Sequence, residues 1–200
     1  LALSPPTLGF QNGELKMNFA PGLEPSKEAN VKFDTIEQVM DVPGRLLTPR
    51  LLNEFRETIE MQWIVYEHKE VNRRISCIVL EPVLMASAGM VFVDPIWQRA
   101  VVEVAKKRNI PIIYDETCSG LHRVGVKSCR DILQADPDIA TYSNLLSGGL
   151  SPLGVTLASN EVFECFLGDE ASDAVLHGES SSANPMGCVA ALQTLESYER

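Results

Sequence analysis

The sequence is short of positive charge. Seventeen Lys and Arg face 27 Asp and Glu, a formal net charge of −10 over 200 residues. Binding to nucleic acid by phosphate neutralisation needs the opposite balance, so no nucleic-acid partner is expected. Long apolar runs are missing too. No stretch of about 18 uninterrupted apolar residues occurs, so no membrane span is expected. The most apolar region, 76–97, is interrupted by Glu81, Pro82, Asp94 and Pro95 and reads as strand, loop and helix start. The first residues are not expected to be a signal or transit peptide. Leu1-Ala2-Leu3-Ser4-Pro5-Pro6 instead reads as the middle of something, and Glu199-Arg200 falls inside an apparent helix, so a fragment is expected.

Cysteine and histidine are sparse. The five cysteines (Cys77, Cys118, Cys129, Cys165, Cys188) are odd in number and contain no C-x-x-C pair. Neither a disulfide framework nor a zinc site is indicated. Cys77, Cys165 and Cys188 lie in apolar or small-residue runs and are expected in the core. A reducing intracellular compartment fits this usage, without choosing between mitochondrion and cytoplasm. His68, His122 and His177 show no metal-ligand spacing, and His68 is expected on a solvated helix face. There is no G-x-G-x-x-G, no phosphate-binding P-loop and no G-x-S-x-G elbow. Internal repeats and low-complexity tracts are absent as well.

What remains is an ordinary globular composition, 45% hydrophobic and 22% charged. Residues 1–45 are rich in Pro, Gly and Asn and read as a loop-rich lead-in with short extended pieces. Thr48-Pro49 is expected to start a helix, with Thr48 as N-cap. Leu51, Leu52, Phe55, Ile59, Trp63 and Tyr66 form its apolar face, either the most obvious surface needing a cover or ordinary core. Residues 75–80 and 110–114 read as buried strands, and 138–142 and 155–158 as further strands. Asp94-Pro95 starts a helix to about Arg108, and residues 128–134 form a short one. Asn160 is expected to cap a helix through Phe166, and Asn184-Pro185 to start the last. Strands alternating with helices predict an α/β fold, a mainly parallel sheet flanked by helices. In such sheets ligands sit beyond the carboxyl ends of the strands. The residues there are Glu81-Pro82, Asp115-Glu116 and Ser143-Asn144.

Asp115 and Glu116 put two acids at one strand end. Asp115 either caps a turn or aims a carboxylate into a ligand crevice, where it could pair with a protonated heteroatom. A two-carboxylate hydrolase using Glu81 and Asp115 is geometrically open. Gly148-Gly149 reads as a bend needing positive φ. His177 through Pro185 puts hydroxyls and backbone N–H groups ahead of a helix, either a phosphate-holding place or a serine loop with an Asn cap.

Taken together, Glu81-Pro82-Val83, Gly89-Met90, Pro111-Ile112-Ile113-Tyr114-Asp115-Glu116, Gly120, Arg123-Val124-Gly125, Pro137-Asp138-Ile139-Ala140 and Gly148-Gly149 resemble the class III aminotransferases. These are fold-type I enzymes that use pyridoxal phosphate (PLP). Within that family the diaminopelargonate aminotransferases of biotin synthesis are the nearest in pattern. The resemblance implies that residues 46–200 are the second half of a large domain, with the N-terminal half and the C-terminal small domain absent. It also implies a homodimer or larger assembly, and apolar surface left uncovered by the missing parts. The resemblance places Asp115 at the acid that pairs with the pyridine nitrogen. Thr117 stands where an apolar residue packs on the ring, and Cys118 where many members have Gln. Ser180 matches a hydroxyl that reaches the phosphate in the neighbouring subunit, and Ser181 replaces an aromatic residue. Asn144 occupies the position of the Schiff-base lysine. An amide nitrogen is neither nucleophilic nor basic, so it forms no imine and serves as no general base. Lys127, the only lysine after Lys107, stands 17 residues upstream. The resemblance therefore implies amino transfer to 8-amino-7-oxononanoate for the family, and loss of covalent PLP binding here. The alternative it leaves is a non-catalytic structural or binding subunit of the same descent.

Overall fold

A computed structural model describes residues 1–26, 32–70 and 73–200. The centre is a four-stranded sheet of β4 (Ile78–Leu80), β7 (Ile112–Asp115), β8 (Ile139–Tyr142) and β9 (Val155–Ala158), in that spatial order. β4, β7 and β8 run parallel, and β9 returns antiparallel to β8. The expected α/β architecture is therefore present, with one antiparallel strand. A two-stranded piece, β5 (Leu84–Met85) with β6 (Val91–Phe92), lies in the connection after β4.

Helix α3 (Arg50–Lys69) packs on α4 (Pro95–Lys107), and α4 covers the sheet. Leu52, Phe55, Ile59 and Trp63 are buried along one stripe of α3, meeting Ala100, Val101 and Val104 of α4. Each such side chain removed from water contributes about 1.5–3 kcal/mol for the larger ones. Of the two readings of the α3 face, ordinary core is therefore the one observed. The helix begins at Arg50 with Pro49 at the cap position and no side-chain cap bond, so Thr48 does not cap it. At α4 the reading holds: Asp94 Oδ1 accepts from Ile96 N at 2.8 Å, and Pro95 occupies the first turn, where its missing N–H costs nothing.

The first 45 residues carry more structure than expected. β1 (Thr7–Gln11) and β2 (Glu14–Asn18) form a hairpin, and β3 (Lys32–Phe33) pairs with β2. Asn12 (φ 53°) and Gly13 (φ 81°) make the turn, since Asn and Gly tolerate the left-handed backbone that a tight hairpin requires. Leu15, Met17, Phe33 and Val39 form a small core there, with Val39 on α1 (Ile36–Met40). α2 (Val42–Leu46) follows, and its Arg45 forms a two-pronged ion pair with Asp94 at 2.8 Å on each prong. That pair ties the lead-in to α4. Residues 27–31 lie outside the described residues.

The remaining α-helices among the described residues are α5 (Arg130–Leu133), α6 (Asn160–Glu164) and α7 (Pro185–Tyr198). α6 is capped by Ser159, whose hydroxyl accepts from Val162 N, and not by Asn160. Asn184 caps α7 as expected, accepting from Gly187 N at 2.7 Å. β4 is shorter than the expected strand, and Val79 is 61% exposed because β4 is a sheet edge with one face uncovered. The cysteine expectation is also corrected. Cys77 and Cys165 are exposed, Cys188 is half-buried, and Cys129 is the buried one. Cys77 precedes the open edge strand and Cys165 ends a helix with no buried residue, so their apolar neighbours face outward. Exposed apolar residues gather in the last third of the chain: Leu150, Leu157, Phe163 and Leu167, then Met186, Val189 and Leu192 on the outer face of α7. No helix among the described residues is long and apolar enough to cross a membrane.

Candidate functional site

The carboxyl ends of β7 and β8 carry the polar cluster. β7 and β8 are in parallel register, with Asp115 opposite Thr141. Asp115 Oδ1 accepts from Thr117 Oγ1 at 2.7 Å, from Thr117 N at 3.1 Å and from Thr141 Oγ1 at 3.3 Å. Its Oδ2 receives no donor among the described residues. Both readings of Asp115 are therefore present in one side chain. One oxygen closes the turn, and the other stays an open, half-buried acceptor. An unfilled carboxylate oxygen at a strand exit is suited to a cationic N–H, because charge-assisted hydrogen bonds are the strong ones.

Asn144 stands exposed just past β8 with φ of 20°, at the edge of the left-handed region that Asn tolerates. Its Nδ2 donates to Cys118 Sγ at 3.1 Å. Cys118 is half-buried in the turn that follows Asp115 and Glu116. So Asp115, Thr117, Cys118 and Asn144 come together at one end of the sheet, joined by two hydrogen-bonded pairs.

Ser180 is elsewhere. It is exposed in the turn before α7 and meets no hydrogen-bond partner among the described residues. Its neighbours are organised: Ser181 Oγ donates to Glu179 Oε1 at 2.7 Å, and Ser182 Oγ accepts from Glu179 N at 3.2 Å. The turn faces the 151–154 bend across an open groove of about 480 Å³ lined by Ser151, Gly154, Ser181 and Ser182, among others. The turn just before that bend uses Gly148 (φ 60°) and Gly149 (φ 81°), the positive φ expected there.

Glu81 belongs to its own loop. Its carboxylate accepts from Ala86 N at 2.8 Å and Ser87 N at 3.2 Å, and from the Ser87 hydroxyl. Both oxygens are spent, which removes the basis for a two-carboxylate hydrolase. The buried Gln98 amide clamps the same loop, donating to the Glu81 carbonyl at 2.8 Å and accepting from Val83 N at 2.7 Å. It holds Val83 at φ 68°, a strained conformation for a β-branched residue.

Sequence reasoning missed the supporting partners. Thr141 is found only through strand register, which pairs it with Asp115. Glu116, the second acid, turns inward and is 1% exposed. It accepts from Ser128 Oγ and Cys129 N at 2.6 Å each, and from Tyr142 Oη at 2.8 Å. Burial, and then the nearby Glu116 carboxylate, push the Tyr142 hydroxyl up to about 12. Burial pushes the Cys129 thiol up to about 12 as well. Both groups are neutral structural members at neutral pH.

With this geometry in view, comparison with known proteins decides the family. Residues 22–200 match the family model for class-III aminotransferases. The chain belongs to that family. It is 33% identical over its full length to the mitochondrial bifunctional dethiobiotin synthetase/7,8-diamino-pelargonic acid aminotransferase of Oryza sativa subsp. japonica, of which it covers 24%. It is 30% identical over 67% of its length to an adenosylmethionine-8-amino-7-oxononanoate aminotransferase of Anoxybacillus flavithermus, covering 29% of that protein. The solved 8-amino-7-oxononanoate aminotransferase of Methanocaldococcus jannaschii superposes with a TM-score of 0.62 at 32% identity, over 74% of this chain and 33% of that one. A PLP-bound amine transaminase from an uncultivated Pseudomonas species superposes at 0.64 and 25% identity, over the same shares. The chain thus spans about a quarter of the length of the bifunctional relatives it matches.

Proposed function

We propose that this class III aminotransferase chain forms the cofactor-facing part of a large domain of the diaminopelargonate type. In that reading it holds PLP without a covalent bond. Residues 46–200 correspond to the second half of that domain. The whole assembly's reaction is amino transfer to 8-amino-7-oxononanoate in biotin synthesis. As it stands, the chain carries no transaminase activity.

The observation that carries the reading is the state of Asp115. Three donors on Oδ1 fix the carboxylate, and Oδ2 is left open at the carboxyl end of the sheet. That oxygen would hold the proton on the pyridine nitrogen of the cofactor. When bound, PLP supplies an electron sink through that protonated ring. Thr117 spends its hydroxyl on Asp115, so its remaining surface for ring contact is a methyl group. Cys118, whose thiol accepts from Asn144, would stand where many members of the family have a Gln. Ser180, free in its turn, would serve the phosphate held by a second copy of the chain, which makes a homodimer part of the proposal. Asn144 removes the covalent anchor and the base that moves the substrate proton.

The same Asn144 favours a second reading, a non-catalytic binding or structural subunit of the same ancestry. Asn144→Lys in an assembly with the flanking domains separates the two. Recovered transamination supports the first reading, and a silent but PLP-saturable protein supports the second. The proposal itself is tested by titrating the chain with PLP and following the tryptophan and cofactor fluorescence. Saturable binding, weakened about tenfold or more by Asp115→Asn, is expected from loss of one charge-assisted contact. Binding that does not saturate, or that ignores Asp115→Asn, overturns it.

A further inference from the structure

The two adjacent acids at the end of β7 do opposite things. Asp115 faces the candidate site, and Glu116 is buried with three donors on it. A buried carboxylate is expensive unless its lone pairs are filled, and here they are. The donors come from separate places. Tyr142 is the last residue of β8, two before Asn144. Ser128 and Cys129 close the far side of the turn that carries Thr117 and Cys118. Glu116 also donates its N–H to the Thr141 carbonyl at 3.0 Å and accepts at its own carbonyl from Gly120 N at 3.0 Å.

We infer that Glu116 is a positioning residue. Its carboxylate gathers the end of β8 and both ends of the 117–129 turn onto the end of β7. It thereby fixes where Asp115, Cys118 and Asn144 stand relative to one another. The inference deepens the cofactor-site reading and rests on it for the purpose of the arrangement.

Gly120 supplies an independent sign of the same device. A Cβ there would meet Tyr142 Cδ1 at 2.8 Å and Cε1 at 2.9 Å. Only glycine lets the Tyr142 ring lie over the turn and reach Glu116. The hydrogen-bond chemistry also predicts which substitution is tolerated. Glu116→Gln can keep all three bonds. Its carbonyl oxygen takes Cys129 N–H, and its amide donates to the Ser128 and Tyr142 hydroxyls, which rotate to accept. Glu116→Ala keeps none.

The test uses the 200-residue chain and reads the alkylation rate of each cysteine by iodoacetamide and mass spectrometry. Cys118 reports the turn, and buried Cys129 with the tryptophan fluorescence reports the core. Glu116→Ala is expected to raise the Cys118 rate about tenfold or more, Glu116→Gln to stay within about twofold, and Tyr142→Phe to raise it about two- to fivefold with Cys129 still protected. The side-chain amide NMR signal of Asn144 should move in Glu116→Ala and Tyr142→Phe and return in Glu116→Gln. If Glu116→Ala does not fold, Tyr142→Phe and Gly120→Ala carry the same expectation. Unchanged Cys118 rates in the folded variants overturn the inference, as does a Glu116→Gln variant as reactive as Glu116→Ala. A PLP arm separates the two proposals. Failure of PLP to slow Cys118 alkylation in the unsubstituted chain sinks the cofactor reading, while the unliganded rates still judge Glu116.

Discussion

Replacing Arg45 by Ala isolates a buried ion pair that ties the lead-in to α4. Asp94 is fully buried and Arg45 is 13% exposed. The guanidinium reaches both carboxylate oxygens at 2.8 Å, donates to the Val39 carbonyl at 2.8 Å and lies 5.0 Å from the Phe33 ring centroid. Breaking one side of a buried pair costs about 3–5 kcal/mol, because the remaining charge is left without compensation. Asp94 keeps one donor, Ile96 N, which argues for the lower end, about 3 kcal/mol. For a chain of this size a urea slope of about 2–3 kcal/mol/M turns that into a midpoint shift of about 1–1.5 M. Trp63 and Trp97 are both buried and report the transition by fluorescence. The double variant Arg45→Met with Asp94→Asn removes both charges and keeps an amide cap for α4. It should recover more than half of the loss. A shift below about 0.3 M for Arg45→Ala, or a double variant no better than the single, refutes this reasoning.

Other expected outcomes follow from single features. Asn184→Ala removes the cap of α7 and should cost about 1 kcal/mol in denaturant unfolding. Gly149→Ala forces a side chain onto φ 81° and should cost about 1 kcal/mol or more, read as a lower melting temperature. In alkali, Cys129 and Tyr142 hold their protons in the folded chain to about pH 12, above the pH at which the unfolded chain loses them. The folded state then binds more protons, so this contribution is intact below about pH 9 and falls away as pH rises from 9 towards 12. Denaturant titrations across that range should show a falling midpoint, and Cys129→Ala should flatten the fall.

Where one residue type has one strong local reason, the sequence is legible. Asp94-Pro95 and Asn184-Pro185 announce helix starts because a side-chain acceptor and a missing N–H both suit a first turn. The apolar spacing of Leu52, Phe55, Ile59 and Trp63 likewise announces a buried helix face. The hairpin at Asn12-Gly13 was legible as well. Its turn pair is a strong signal, but the surrounding Pro and Gly residues masked it. Thr48 and Asn160 show the limit of cap reading, since neighbouring candidates compete and backbone geometry chooses between them. The cysteines fail for a different reason. An apolar neighbourhood in sequence says nothing of which sheet face or edge is covered. At the site, Asp115 is visible as a strand-end acid, while its partner Thr141 and the inward Glu116 depend on register between strands 26 residues apart. That pairing is a long-range property and leaves no local trace.

The proposal that Asn144 leaves the chain able to hold PLP but unable to bind it covalently can be put to a direct test. Incubation with PLP, borohydride reduction and peptide mass spectrometry test it directly. No stoichiometric reduced adduct is expected at any lysine of the unsubstituted chain, and a stoichiometric one is expected at position 144 in Asn144→Lys. A stoichiometric adduct on Lys127, or on any other native lysine, contradicts it.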